Sequence, residues 1–180
     1  IPFLGIYLKN LLTNKVERKH DVTGLTQTPI LGEICHGKDK EFVVAKATVK
    51  TPISEMFRLI RTNLHFTGIG AENKCLLVTS SMSGEGKSFF CVNIGTSFAG
   101  TGKNVLIIEF DLRRPKLMKN LGLESKKGLT DYIVGDVEQL ENVVVPSGIE
   151  DSLDILPAGT IPPNPAELML NEKVAQMVRE

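Results

Sequence analysis

The sequence predicts an α/β fold with a parallel sheet flanked by helices, and three observations carry that prediction. Two short, continuous apolar runs, Cys75-Leu76-Leu77-Val78-Thr79 and Val105-Leu106-Ile107-Ile108, have the composition of strands covered on both faces. Between them Phe90, Ile94 and Phe98 repeat at helical spacing, closed by Gly100 and Gly102, so an amphipathic helix is expected. A glycine-containing turn joins the first run to that helix. Strand, helix and strand within about thirty residues make a βαβ unit with a right-handed crossover.

The remaining elements follow in order. Ile1 to Leu8 is an apolar stub trailed by Lys9, Lys15, Arg18 and Lys19; it reads either as the end of a membrane helix emerging toward basic residues or as a packed terminal segment. Asp21 to Lys50 reads as a connector, with an edge strand at Pro29 to Ile34 and a charged patch, Lys38-Asp39-Lys40-Glu41. Thr51-Pro52 announces a helix, a capping residue followed by proline at the first helical position. Met56, Leu59, Ile60, Leu64 and Phe66 form its inward face, and Glu55, Arg58 and Arg61 another face of solvated charges. Gly128 to Val134 predicts a short helix and Leu153 to Leu156 a strand. Asn164-Pro165-Ala166-Glu167 predicts a capped helix running through Leu168, Leu170, Val174 and Met177.

Composition bounds the function. The chain has 180 residues, 42% hydrophobic and 23% charged, enough for a buried core. Lys+Arg 21 balances Asp+Glu 21, so no global basic field points to nucleic acid and any anion site must be local. Cys35, Cys75 and Cys91 lack metal-ligand or disulfide-framework spacing, and Cys75 and Cys91 are expected in the core. His20, His36 and His65 have no ligand spacing, and Asp131 and Asp136 read as surface charges.

The local anion site is the turn after the first strand. Ser81-Met82-Ser83-Gly84-Glu85-Gly86-Lys87-Ser88 has the P-loop spacing, with Ser81 where the first glycine usually stands. Gly84 and Gly86 let backbone N–H groups turn toward a phosphate, the helix starting near Lys87 aims its positive end there, and Lys87 reaches the terminal phosphates. Ser88 offers a hydroxyl to Mg²⁺. The expected contacts to a nucleotide thus run from Ser83 through Phe89. The second strand ends in Glu109-Phe110-Asp111-Leu112-Arg113-Arg114-Pro115. Strand alternation would turn Glu109 and Asp111 to one side, beside the loop, where a carboxylate can serve a metal or accept a hydroxyl proton. Arg113 and Arg114 could stabilise phosphate charge or pair with surface acids, the surface role being the stronger reading for Arg114.

Taken together these segments resemble the bacterial tyrosine kinases (BY-kinases), the cytoplasmic ATPase part of capsular and exopolysaccharide chain-length regulators. Ser83 to Ser88 resembles their P-loop, and Glu109 to Pro115 their second acidic motif, Asp-x-Asp-x-Arg-Arg-Pro. Glu55-x-x-Arg58-x-x-Arg61 resembles the helix that joins their subunits into a ring. Gly159 to Leu168 resembles their Pro-Pro-Asn-Pro-Ala-Glu segment, and Ile1 to Ile34 the exit of their second membrane helix. The resemblance implies a P-loop NTPase fold, ATP and Mg²⁺ as cofactors, and autophosphorylation on tyrosine at the cytoplasmic face of the inner membrane. Lys87 would bind phosphate, Ser88 and Asp111 the metal, and Glu109, Asp111 and Arg113 would assist catalysis. The partners implied are a homo-oligomeric ring through Glu55, Arg58 and Arg61, a neighbour's tyrosine-rich tail, and the polysaccharide polymerase and export machinery.

It also implies an organisation: 1–8 the end of a membrane helix, 9–50 a juxtamembrane connector, and 51–180 the N-terminal part of the kinase domain, incomplete at the C-terminus. Three departures stand out. Glu109 replaces the first aspartate, which leaves open whether it or Asp111 is the base. No third acidic strand precedes Glu180, and only Tyr7 and Tyr132 occur, so the fragment alone is expected to be inactive. A partitioning-type P-loop ATPase would carry a second lysine early in the loop, where this chain has Met82. A non-catalytic chain-length regulator that only binds nucleotide is the other alternative.

Overall fold

The computed structural model describes residues 16, 19–36, 41–67 and 74–179, which fall into two units, residues 1–33 and 34–180. The membrane-helix reading of Ile1 to Leu8, most of the basic run after it, and Lys38 to Lys40 lie outside the described residues. In the first unit a short helix, α1, spans Lys19–Thr23 among the described residues. The expected edge strand at Pro29 to Ile34 is irregular chain. No described helix is long and apolar enough to cross a membrane.

The second unit opens with chain that packs against helices. α2 spans Pro52–Phe66, and its start is the predicted one: Thr51 Oγ1 accepts from the Ser54 N–H, and Ser54 Oγ accepts from the Thr51 N–H. Its inward face is Ile53, Phe57, Ile60 and Leu64, whereas Leu59 and Phe66 are exposed. The true stripe is rotated because Ile53 and Phe57, not Leu59 and Phe66, continue the i, i+4 series through Ile60 and Leu64.

α3, Lys87–Ala99, follows the loop and stops at Gly100 as expected. It is not amphipathic: every residue from Val92 to Ser97 is buried, so it is a central helix packed on all sides. Phe57 of α2 meets the rings of Phe89 and Phe90 at 5.8 and 6.0 Å, and Phe42 meets Phe89 edge-on at 5.9 Å. At Gly95 the helix backbone lies against the sheet, where an added Cβ would stand 3.0 Å from Ile107 Cδ1.

Among the described residues the sheet has three strands, β1 (Val105–Ile108), β2 (Val145–Pro146) and β3 (Leu153–Leu156), in the order β1-β3-β2. β1 and β3 are parallel, with Val105 opposite Leu153 and Ile108 opposite Leu156, and β2 is antiparallel to β3. The parallel pair exists and Val105–Ile108 is one member as expected, but its partner is Leu153–Leu156 rather than Cys75 to Thr79. Cys75 to Thr79 forms no strand; Cys75 is exposed and Leu77 is 81% exposed. An apolar run becomes a two-sided buried strand only where ladder partners flank it, and Cys75 to Thr79 pairs with no strand among the described residues. The outer edge of β1 has no partner among the described residues, and Leu106 there is 43% exposed, so the sheet is left open.

β3 divides the core. Leu153 and Ile155 pack with Val92, Ala99, Ile107 and Leu117, while Leu156 packs with Leu112, Leu129, Ile133 and Val143. Between the strands run α4 (Leu117–Leu121), α5 (Leu129–Val134) and a 3₁₀ turn at Leu140–Val143. The last predicted helix is two, α6 (Pro165–Leu168) and α7 (Glu172–Arg179). Asn171 causes the break: its Oδ1 accepts from the Lys173 N–H, a side-chain cap that starts a new helix. Asn164 turns its amide to Glu167 rather than capping the backbone.

Asp131 is buried, not a surface charge. Its carboxylate accepts from the Gly128 N–H at 2.8 Å, the Thr160 N–H at 3.2 Å and the Thr160 hydroxyl at 2.8 Å, and so pins the start of α5 to the Gly159-Thr160 turn.

Candidate nucleotide site

The loop from Ser81 to Gly86 is exposed and irregular, and α3 begins at Lys87, the position the sequence predicts. Gly84 (φ +95°) and Gly86 (φ +98°) both adopt the left-handed conformation. A Cβ would meet nothing at either position, so the glycines are required by backbone conformation rather than by space. The turn presents backbone amides at the N-terminus of a 13-residue helix, the geometry that suits an anion.

Lys87 Nζ donates to Ser80 Oγ at 2.8 Å and to the Met82 carbonyl at 3.4 Å, so its ammonium folds over the loop. Glu85 reaches back across the loop: its carboxylate accepts from the Met82 N–H at 3.1 Å and from the Ser81 hydroxyl at 3.3 Å. The Met82 amide, then the Ser80 hydroxyl, hold that carboxyl below its ordinary range. Ser88, Phe89 and Phe90 are half-buried in the first turn of α3. Beside the loop opens a cleft of about 480 Å³, whose walls include Cys35, His36, Val78, Lys87 and Phe90. Cys91, one turn beyond Lys87, is half-buried; burial raises its pKa, with Lys87 acting in the opposite sense.

The two acidic residues after β1 have different surroundings. β1 ends at Ile108, so strand alternation does not extend through Asp111. Glu109 is buried, and its Oε1 accepts from the N–H groups of Lys116 and Leu117, both at 2.8 Å, capping the start of α4. Asp111 is exposed, and its Oδ1 accepts from the Arg114 N–H at 3.1 Å. Arg113 and Arg114 are exposed. The structure therefore gathers Ser80, Ser81, Met82, Glu85 and Lys87 into one hydrogen-bonded loop. Among the described residues, no hydrogen bond or ion pair joins Glu109, Asp111 or Arg113 to it.

Ser80 escaped the sequence reading because it lies one position ahead of the motif; the hydroxyl partner of Lys87 has no spacing rule. On α2, Arg58 pairs with Glu55 and donates to the carbonyls of Ala47 and Val49. Arg61 donates to the Ser97 carbonyl and hydroxyl. Both arginines thus tie α2 to its own chain.

An α/β sheet with a helix launched from a glycine turn and a lysine at its first position defines a P-loop nucleotide-binding domain. The family of CobQ/CobB/MinD/ParA nucleotide-binding domains matches residues 76–177. The tyrosine-protein kinase YwqD of Bacillus subtilis is 38% identical over 138 residues, 77% of this chain and 57% of that protein. The tyrosine-protein kinase wzc of Salmonella typhi is 35% identical over 69% of this chain and 17% of its own length. The crystal structure of the chimerical protein CapA2B2 superposes with a TM-score of 0.76 at 30% identity, covering 90% of this chain and 69% of that one. The chain belongs to the bacterial tyrosine-kinase family within this nucleotide-binding class. It spans little more than half of one of these curated relatives and about a sixth of the other.

Proposed function

We propose that this chain supplies the nucleotide-binding part of an ATP-dependent protein-tyrosine kinase that regulates capsular or exopolysaccharide polymerisation and export from the cytoplasmic face of the membrane. The observation that carries the reading is the Ser81–Ser88 turn, with both glycines left-handed and Lys87 opening α3, in a chain of this family. The backbone amides from Ser83 to Phe89 would cradle the phosphates and Lys87 would bind the terminal ones.

The donor chemistry fits a magnesium ion: the Ser88 hydroxyl and the exposed Asp111 carboxylate are the hard oxygen ligands it takes. The metal would neutralise developing phosphate charge. Asp111, exposed where Glu109 is buried, would be the better placed acceptor for a tyrosyl proton. Glu109 is buried, with Oε1 accepting from the start of α4, which supports a positioning role for it at the Arg113–Lys116 turn. Arg113, exposed on that turn, would meet the transferred phosphoryl group. Residues 1–8, 9–50 and 51–180 would serve as membrane-helix end, connector and kinase portion.

Lys87→Met should weaken Mg·ADP binding about a hundredfold in titration calorimetry, as expected for removal of a charge-assisted phosphate contact. In the whole protein it should also abolish phosphotyrosine. Unchanged affinity would refute the phosphate contact assigned to Lys87, and absence of Mg·ADP binding by wild type would refute the nucleotide reading; lost phosphotyrosine with unchanged polymer length would disfavour a purely switching role.

The ring interface is proposed at Glu55, Arg58 and Arg61. Glu55 is the cleaner probe, because Arg58 and Arg61 also hold their own chain together. Glu55→Lys in the whole protein should dissociate oligomers in light scattering and leave Mg·ADP affinity within about twofold, since surface substitutions seldom disturb the fold. Intact oligomers would remove this surface from the interface.

A further inference from the structure

Placing a glutamate two residues before the phosphate-binding helix is electrostatically adverse, because its charge could neutralise Lys87 and repel a polyphosphate. The structure deals with this through the one departure from the motif, the serine at the place of the first glycine. Ser81 does not need to be glycine: no residue other than glycine has a positive φ among the described residues. Its hydroxyl lies 3.3 and 3.5 Å from the two carboxylate oxygens of Glu85, and the Met82 N–H donates to the same carboxylate at 3.1 Å. Lys87 makes no ion pair with Glu85; it donates instead to Ser80 and the Met82 carbonyl.

We propose that Ser81 and Glu85 form a strut across the neck of the phosphate loop, which holds the loop in its binding shape and keeps the glutamate off Lys87. Both are positioning residues, and the inference rests on the nucleotide reading above. Holding a loop in its bound shape raises affinity by lowering the ordering cost of binding. The depressed pKa of Glu85 agrees, since the donors around it favour its charged form.

The test is titration of the full chain and its variants with ADP in the presence of Mg²⁺. Ser81→Gly, which restores the usual glycine, and Glu85→Ala should each weaken binding about three- to tenfold, the order expected for losing one preorganising hydrogen bond. The double variant should bind no worse than the weaker single, because both changes break one strut. Glu85→Gln should stay within about threefold of wild type, since its amide oxygen accepts from the same donors. Unfolding midpoints should all remain within about 2 °C, because these residues are exposed. Undiminished or tighter binding in Ser81→Gly or Glu85→Ala overturns the strut. So does a fall in the unfolding midpoint that tracks the affinity loss, which would make the pair part of the loop's folding. If wild type itself fails to bind Mg·ADP, the nucleotide reading falls, and the strut with it.

Discussion

Asn93→Leu should lower stability by roughly 3–5 kcal/mol and release the chain around Phe42 to Ala45 from α3. Asn93 is fully buried and uses its whole amide: Oδ1 accepts from the Val44 N–H at 2.7 Å and the Ala45 N–H at 3.0 Å, while Nδ2 donates to the carbonyls of Phe42 and Phe89 at 2.9 Å each. Leucine keeps the branching and the number of side-chain heavy atoms, so the chief loss is one of hydrogen bonds, with some crowding from its larger methyl groups. Val44 and Ala45 are themselves buried, and each orphaned N–H costs about 1–3 kcal/mol. The two amides account for most of the figure, and the stranded Phe42 carbonyl for the rest. Because the Phe89 carbonyl lies in the first turn of α3, the same side chain ties the approach to α2 directly to the helix that follows the phosphate loop. Hydrogen exchange at the Val44 and Ala45 amides should rise with the drop in unfolding midpoint. Retained protection, or a loss below about 1 kcal/mol, would show that the strap contributes little.

That strap also illustrates what the sequence could reveal. Helix starts and stops were legible at Thr51-Pro52, Lys87 and Gly100, because capping and glycine chemistry act over a few neighbouring residues. The phosphate turn was legible for the same reason, down to the two left-handed glycines. Asn93 was not: its partners are about 50 positions upstream, and nothing in the spacing of one asparagine announces them. The pairing of β1 with β3 was hidden likewise, since an apolar run declares a wish for burial but not which strand provides it. Cys75 to Thr79 has the more apolar composition of a core strand and yet stays exposed, while Leu153-Asp154-Ile155-Leu156, interrupted by an acid, takes the centre of the sheet. At the site, Glu109 and Asp111 were expected on one side of the strand, but β1 ends at Ile108 and the chain turns there, which places Glu109 under the start of α4.

Gly128→Ala should cost about 3 kcal/mol or more, lowering the unfolding midpoint by roughly 6–12 °C for a chain of this size. The obstacle is steric. A Cβ at Gly128 would stand 2.2 Å from the Pro157 carbonyl oxygen and 2.5 Å from the Gly159 nitrogen, both backbone atoms that cannot swing aside. Making room would pull apart the bonds from the Leu129 N–H to Pro157 and from the Thr130 N–H to Ala158. Asp131→Ala should act on the same joint through its electrostatics, at about 2 kcal/mol, because it strands the buried Gly128 N–H and frees Thr160. Burial pushes the Asp131 carboxyl up, but the Thr160 hydroxyl and the amides of Gly128 and Thr160 outweigh it, so its pKa lies below the ordinary value. The unfolded chain therefore binds this proton more readily than the folded one. The stabilisation from Asp131 is present in full above the unfolded pKa of about 3.9 and is lost as pH falls through the lower folded value. Wild type and Asp131→Ala should accordingly differ in urea unfolding at neutral pH and converge in acid. A gap that persists unchanged to the acid limit would mean that the carboxylate charge does not hold this joint together.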